Sequence, residues 1–227
     1  MSDFSAILVT VKLALTTSLI LMLIGLPLAW WLARPSNNRI KNNTRPLIEA
    51  LVALPLVLPP TVLGFYLLIV FSPDSWLGAN WLKVTGSTLA FSFSGLVIGS
   101  IVYSLPFVVQ PLQATFAAIS ESTLEVSRSL GASKIQQFKQ IILPLSKTGL
   151  ISAFSLGFAH TLGEFGVVLM IGGNIQDQTR VVSIAIYDHV ETLQFSEAHQ
   201  LSIILVAFSL LLLTLLYRFK HNRVGFH

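Results

Sequence analysis

Residues 122–144 read STLEVSRSLGASKIQQFKQIILP, a polar and charged stretch that lies between two long apolar segments. Ser122 stands three residues before Glu125. This spacing is typical of a capping box, in which two side chains bond the first backbone amides of a helix. We therefore expect a helix to begin at Ser122. Gly131 predicts its end, because glycine adopts the left-handed conformation that closes many helices without a Cβ clash.

A second helix is predicted directly after this turn. Ser133 and Gln136 repeat the capping-box spacing, so the second helix starts at Ser133. Pro144 predicts its end, since proline has no backbone N–H to donate. The stretch is thus expected to form two short helices joined by an elbow, outside the apolar segments that flank it.

The composition places the rest of the chain in a membrane. Of the 227 residues, 53% are hydrophobic and 11% are charged, which excludes an ordinary water-soluble surface. The net charge of +4 does not indicate a nucleic-acid partner, because the basic residues lie in short loops. Cysteine is absent, so disulfides, iron–sulfur clusters and thiolate metal sites are excluded. The chain is predicted to be an all-α integral membrane protein.

Five segments are apolar enough to cross about 30 Å of hydrocarbon, for which a helix needs roughly 20 residues. They are residues 4–33, 47–71, 88–113, 149–171 and 201–217. Residues 118–146 form the loop between the third and fourth segments. The whole chain, 1–227, is predicted to be a single transmembrane domain with five transmembrane helices.

The lysines and arginines indicate which side of the membrane each loop faces. Eleven of the fourteen lie in three regions that five spans would place on one side. They are Arg34, Arg39, Lys41, Arg45, Arg128, Lys134, Lys139, Lys147, Arg218, Lys220 and Arg223. Basic residues favour the cytoplasmic side. We therefore expect the 118–146 loop inside the cell, and the N-terminus, the 72–87 loop and the 172–200 loop outside.

From Glu125 to Pro144 the central loop has the pattern E-x5-G-x9-I-x-L-P, which resembles the EAA loop of bacterial ABC-importer permeases. Only the two alanines that follow the glutamate in that family are replaced here, by Val126 and Ser127. The resemblance implies a type I ABC importer permease fold, in which this loop is a cytoplasmic coupling helix in a cleft of a separate ATPase subunit. The residues assigned to ATPase coupling are Glu125, Ser127, Leu130, Gly131, Ala132, Ile141, Leu143 and Pro144.

The second segment contains LPLVLPPTVLG, residues 54–64, with three prolines. Each proline frees a backbone carbonyl that hydrocarbon cannot bond, so this backbone should face protein or a water-filled path. A kink used for packing and a lining of the translocation pathway are both open. The stretch resembles the matching segment of molybdate permeases, and the resemblance assigns Pro59, Pro60 and Thr61 to the pathway or gate.

The fourth segment carries two ionisable residues, His160 and Glu164, one helical turn apart. Such residues are expensive in a membrane unless partnered, which makes them functional candidates. The alternative is that they satisfy each other and only stabilise the bundle. Residues 162–166, LGEFG, resemble a signature of molybdate and sulfate permeases. The gate residues predicted here are His160, Thr161, Gly163, Glu164 and Gly166. A carboxylate repels a dianion, so Glu164 is interpreted as a gate or hinge element and not as a substrate contact.

No catalytic or nucleotide-binding motif occurs in the sequence. A P-loop is missing, so ATP and Mg²⁺ must be bound by a partner ATPase, and no cofactor or metal is expected on this chain. An enzyme that uses His160 as base and Glu164 as acid is a remote alternative, since no third group supports the pair.

The combined prediction is a permease subunit of an ATP-driven importer for molybdate, with sulfate, thiosulfate or tungstate as alternative cargo. The resemblance implies four kinds of partner: a second copy of the chain, two cytoplasmic ABC ATPase subunits, an extracytoplasmic oxyanion-binding protein, and membrane lipid. It also implies a multi-pass protein of the bacterial cytoplasmic membrane.

Overall fold

The computed structural model describes residues 2–34 and 39–221, and every regular element in these ranges is a helix. The helices are α1 (Ser2–Ala33), α2 (Arg39–Val57), α3 (Pro60–Phe71), α4 (Trp76–Thr85), α5 (Phe93–Ala117), α6 (Glu121–Ser129), α7 (Lys134–Gln137), a π-helical turn (Phe138–Ile142), α8 (Leu143–Leu145), α9 (Lys147–Leu162), α10 (Gly166–Gly172), α11 (Val182–Glu191) and α12 (Phe195–His221). Arg223, used above for the orientation, lies outside the described residues, as do the side chains of Arg39, Lys41 and Lys220.

Three described helices are long and apolar enough to cross a membrane, namely Asp3–Ala33, Phe93–Ala117 and Phe195–Leu215. Two bent pairs raise the number to as many as five if each pair counts as one span. The all-helical membrane class is therefore confirmed for the described part of the chain. The count of five and the external N-terminus stay predictions.

The second predicted segment, 47–71, is not one helix. Helix α2 ends at Val57, α3 begins at Pro60, and their axes differ by 113°. The two adjacent prolines explain the bend, because neither has an N–H and Pro60 disfavours a helical conformation at Pro59. Pro59 indeed has an extended ψ of 138°. The predicted kink is present, but it is a complete break.

The fourth predicted segment, 149–171, is also interrupted. Helix α9 ends at Leu162, and α10 begins only at Gly166. Two glycines border the gap and have low helix propensity, but the gap also depends on contacts from distant parts of the chain, described below. Hydropathy alone could not reveal this break, since it is averaged over the whole segment and does not locate a helix end within it.

The helices of the third and fifth predicted segments, α5 and α12, start at residues other than those predicted. Helix α5 begins at Phe93 and not near residue 88, because Ser92 caps it by accepting a hydrogen bond from the Gly95 N–H at 3.1 Å. The preceding Phe91 has a φ of +59° and donates its N–H to the carbonyl of Ile171 at 2.8 Å. Helix α12 begins six residues before residue 201, at Phe195.

Helices α1, α5 and α9 form the centre of the fold. Their buried apolar side chains include Leu21, Val108 and Ala153. Gly157 lets α9 approach α5 closely, since a Cβ atom at this position would lie only 2.5 Å from a methyl group of Val108. On the other side of α5, helix α10 is packed between α5 and α3 through Gly99, which contacts Ile171, and Gly64, which contacts Met170.

Replacing Gly157 with alanine should lower the stability of the purified protein by about 1–3 kcal/mol, because the added methyl group forces α9 away from Val108. Gly163→Ala is the matched control, since the nearest atom to its added Cβ is 3.8 Å away. Thermal denaturation in detergent measures the difference. Equal midpoints for the two variants would contradict the close packing of α9 on α5.

Candidate functional site

The first candidate region is the elbow formed by α6 and α7. Helix α6 begins with Ser120 as its N-cap, whose hydroxyl accepts the N–H of Thr123 at 3.4 Å. The predicted cap, Ser122, instead donates its hydroxyl to Ser120. The prediction was wrong by two residues, because the chain leaves α5 in an extended conformation already at Ser120 (ψ 142°). Glu125 is consequently an exposed residue in mid-helix.

The turn of the elbow agrees with its prediction. Gly131 has a φ of +80°, and its N–H bonds the carbonyl of Arg128 at 2.9 Å. Ala132 donates to the carbonyl of Ser127 at 3.0 Å. Ser133 and Gln136 form both hydrogen bonds of a capping box. These contacts satisfy the ends of both helices and fix the angle between them.

One side of the elbow is buried and the other is apolar but exposed. Leu124 and Ser127 pack inward. Leu130 is 82% exposed and Ile135 is 69% exposed, and Val126 is exposed beside them. Apolar side chains at the tip of a projection are typical of a surface that binds another protein.

The second limb of the elbow continues past its predicted end. Helix α7 passes into the π-helical turn Phe138–Ile142 and then α8, so that Pro144 lies inside the limb and the chain bends by 71° only after Leu145. The π turn precedes the proline, and its wider spacing accommodates a residue that lacks an N–H. Ile141 is partly buried here, whereas Leu143 and Pro144 are exposed.

An ion pair joins the base of the elbow to α1. Arg34, directly after α1, donates to the carbonyl of Ile119 at 3.0 Å and to the carboxylate of Glu121 at 3.3 Å. Its guanidinium also lies 4.5 Å from the ring centre of Trp30. Burial lowers the pKa of Arg34, while Glu121 opposes that shift. Sequence reasoning missed this contact, since 87 residues separate the two partners.

The second candidate region is the gap between α9 and α10. Glu164 lies in it with only 5% of its surface exposed, and neither carboxyl oxygen has a hydrogen-bond partner among the described residues. Ser100 of α5 is close enough to interact with this carboxyl group, but its geometry does not meet that of a hydrogen bond. An unpaired buried carboxyl group is costly, so this residue is not a source of stability and stays a candidate for a functional role.

His160 and Glu164 do not satisfy each other. The Nδ1 atom of His160 lies 2.9 Å from the hydroxyl of Ser104, which in turn lies 3.0 Å from the hydroxyl of Thr161. The ring of His160 stacks on Phe107 with centroids 3.8 Å apart. The alternative of a mutually satisfied pair is therefore wrong. Helix α9 ends between the two residues, so the one-turn spacing of a continuous helix does not apply to them.

The breaks in α2–α3 and in α9–α10 lie side by side. A Cβ atom on Gly166 would be 2.7 Å from the Cβ of Pro60, which places the starts of α10 and α3 in direct contact. Pro59, Thr61 and Gly163 are exposed, whereas Glu164 is buried. The structure thus brings together most of the predicted gate residues. Thr161 is separate, as its hydroxyl bonds the carbonyl of Gly157 at 2.9 Å inside the core.

Two hydroxyls that were not predicted as site residues form hydrogen bonds with the gap and with α10. Ser183 donates to the backbone carbonyl of Glu164, and Thr179 donates to that of Gly172. Neither belongs to a recognisable motif, so no local signal could have identified them. Within residues 2–34 and 39–221, no cluster of three or more His, Asp or Glu residues could hold a metal ion.

Residues 25–224 match the family model of the binding-protein-dependent transport system inner membrane component. The chain is 50% identical over 223 residues to the molybdenum transport system permease protein ModB of Azotobacter vinelandii, covering 98% of this chain and 96% of the relative. It is 32% identical to the sulfate transport system permease protein CysT of Escherichia coli, covering 96% of this chain and 78% of the relative.

Two solved structures share the fold. A bacterial ABC transporter involved in the import of the polysaccharide alginate superposes with a TM-score of 0.77 at 16% identity, covering 98% of this chain and 80% of that one. The MetNI methionine ABC transporter in an inward-facing conformation superposes with a TM-score of 0.73 at 17% identity, covering 97% and 95%. At these identities the likeness concerns the fold alone.

Replacing Ser104 with alanine should destabilise the protein by about 1–3 kcal/mol, because His160 and Thr161 both lose a hydrogen-bond partner. Glu164→Gln should cause no such loss, since its carboxyl group has no partner to lose. Denaturation midpoints of both variants in detergent test the difference. A larger loss for Glu164→Gln than for Ser104→Ala would show that the carboxylate does have a partner.

Proposed function

This chain belongs to the family of binding-protein-dependent transport system inner membrane components, and on that premise we propose that it moves molybdate across the bacterial cytoplasmic membrane. It is a transport subunit and not an enzyme. The observation that carries the proposal is the capped elbow with exposed Leu130 and Ile135, a surface for a separate ATPase on a chain that has no P-loop of its own.

The elbow has the contacts needed to pass force to the spans. Arg34 and Glu121 attach the start of α6 to the end of α1. Leu124 of α6 belongs to the same buried cluster as Phe116 near the end of α5. Displacement of the elbow by an ATPase therefore acts on α1 and α5 together. This ATPase binds the ATP and Mg²⁺, and the assembly holds two copies of it.

The pathway is proposed along the surface where the two breaks meet, between this chain and a second copy. Pro59, Thr61 and Gly163 are exposed there and offer a hydroxyl and backbone groups to an oxyanion. Glu164 lies behind this surface, consistent with a gate element that does not touch the anion. The transporter alternates between inward-open and outward-open states, each stabilised by a different set of ligands.

The proposed cargo is molybdate. The 50% identity to a molybdenum permease, against 32% to a sulfate permease, favours molybdate. Sulfate, thiosulfate and tungstate remain the alternatives within the same class. An extracytoplasmic binding protein delivers the anion to the outer face. The alternative of a membrane enzyme has no support, because His160 bonds Ser104 and the carboxyl group of Glu164 has no hydrogen-bond partner among the described residues.

The transporter reconstituted in lipid with its ATPase and binding protein should hydrolyse ATP faster when molybdate is added, and should accumulate molybdate in the vesicle lumen. Sulfate at the same concentration should do neither, since a sulfate-specific binding protein would be required. ATP turnover and anion uptake measure both effects. A response to sulfate alone would overturn the cargo, and ATP-independent uptake would overturn the function.

Gly131→Val should separate ATP hydrolysis from uptake or prevent ATPase binding, because a β-branched residue at a φ of +80° strains the elbow by about 1–2 kcal/mol. No atom lies within 4 Å of the added Cβ, so the expected effect is backbone strain and not a clash at that atom. Gly131→Asn is the control, since asparagine tolerates this conformation. The measurement is the number of molybdate ions transported per ATP hydrolysed. An equal ratio in both variants and in the unaltered protein would refute the coupling role.

A further inference from the structure

One segment of the chain bonds both the gap that precedes helix α10 and the last residue of α10. Ser183 donates a hydrogen bond of 2.5 Å to the carbonyl of Glu164, two residues before α10. Thr179 donates one of 2.6 Å to the carbonyl of Gly172, the last residue of α10. Thr179 is fully buried, so this contact is shielded from solvent. Both hydroxyls belong to residues 175–191, which we call the cap segment; it consists of a turn and helix α11.

By contrast, the connection from α9 to α10 is weak. The Glu164 N–H reaches the carbonyl of Thr161 at 3.4 Å, which is long for a backbone hydrogen bond. A helix of seven residues leaves most of its backbone groups without an intrahelical partner at one end or the other. Inside a membrane, other parts of the protein must supply those partners. The cap segment supplies one for the carbonyl of Gly172 at the end of α10, and it also bonds the carbonyl of Glu164 in the gap.

Helix α10 also touches the proposed pathway. Its first residue, Gly166, lies against Pro60, and Met170 lies against Gly64. These contacts leave no room even for a methyl group between the two helices. Helix α10 therefore cannot shift towards α3 without displacing α3. A movement of α10 therefore changes the surface that carries Pro59, Thr61 and Gly163.

The cap segment extends from α10 to an exposed face. The ring of Phe165, in the gap, lies 5.0 Å from the ring of Tyr187 in α11, and Tyr187 is exposed on its other side. Next to Ser183, the N–H of Val182 bonds the hydroxyl of Thr10 in α1 at 2.8 Å. The Nε2 atom of His189 in α11 also lies 3.2 Å from a carboxylate oxygen of Asp3 in α1. The segment is thus attached to α1 through Val182 and His189, to the gap through Ser183 and to the end of α10 through Thr179.

We propose that Thr179 and Ser183 are positioning residues that make α10 move with the cap segment and not with α9. This inference rests on the proposed function, in which a binding protein contacts the outer face of the transporter. When that protein docks and displaces the cap segment, the two hydroxyls carry the displacement to α10. The gap at residues 163–165 absorbs the change, and the pathway surface at Pro60 and Gly166 opens.

The absence of cysteine in the chain allows a direct test. Gly163→Cys places a thiol at an exposed position, and its added Cβ meets no atom closer than 3.8 Å. The assembled transporter with its ATPase, in lipid nanodiscs, is labelled with a small thiol-reactive reagent with and without the binding protein and molybdate. Docking should change the labelling rate. Adding Ser183→Ala or Thr179→Val should reduce that change by about threefold to tenfold, the effect of one hydrogen bond.

Three further variants separate the possible outcomes. Ser202→Ala removes a hydroxyl that bonds the carbonyl of Ala198 within α12, and it should leave the response intact. Ser183→Thr keeps the hydroxyl and should show the full response. If the two hydroxyls had a purely structural role, Ser183→Ala and Thr179→Val would lower the denaturation midpoint without changing the labelling response. If the Gly163→Cys protein does not respond to the binding protein at all, the proposed function fails. If it responds and Ser183→Ala and Thr179→Val respond equally, only this inference is overturned.

Discussion

Hydrocarbon offers no hydrogen bond to a polypeptide backbone, and the breaks in this structure depend on how that constraint is met. Two helical segments that hydropathy would treat as spans are interrupted, at Pro59 and at residues 163–165. The breaks lie against each other, with Pro60 in contact with Gly166. The hydroxyl of Ser183 bonds the carbonyl of Glu164 just before α10, and the hydroxyl of Thr179 bonds the carbonyl of Gly172 at the end of α10. Backbone groups that the breaks leave without a helical partner therefore face protein and not hydrocarbon, next to the surface where we place the pathway.

The elbow meets a different requirement, because it lies among polar residues and can be built from local sequence. Capping side chains satisfy its helix ends, and Gly131 supplies the one backbone conformation that other residues adopt at a cost. The elbow contacts the bundle at α1, through the ion pair of Arg34 with Glu121, and at α5, through the buried side chain of Leu124. A short projection that is rigid in itself and attached to two spans can transmit a displacement from a partner to the membrane helices.

The difference between local and distant determinants explains which features the sequence predicts. The turn at Gly131, the capping box at Ser133 and the presence of a bend at Pro59 all follow from the residue at the position itself, although the bend was expected as a kink and is a break. The pairing of His160 with Ser104 joins residues 56 positions apart, and Ser183 lies 19 positions from Glu164. Spacing within one helix had indicated a His160–Glu164 pair instead. Hydropathy measures composition, so it located the fourth segment without revealing that the helix stops at Leu162.

The central claim is that the elbow faces the cytoplasm and contacts an ATPase there. Leu130, 82% exposed at its tip, is the position to test in this cysteine-free chain. The measurement is the labelling of Leu130→Cys by a membrane-impermeant thiol reagent, in intact cells and in inside-out vesicles with and without the ATPase subunit. The account predicts labelling only in inside-out vesicles, and protection when the ATPase is bound. Labelling in intact cells, or no protection by the ATPase, would contradict it.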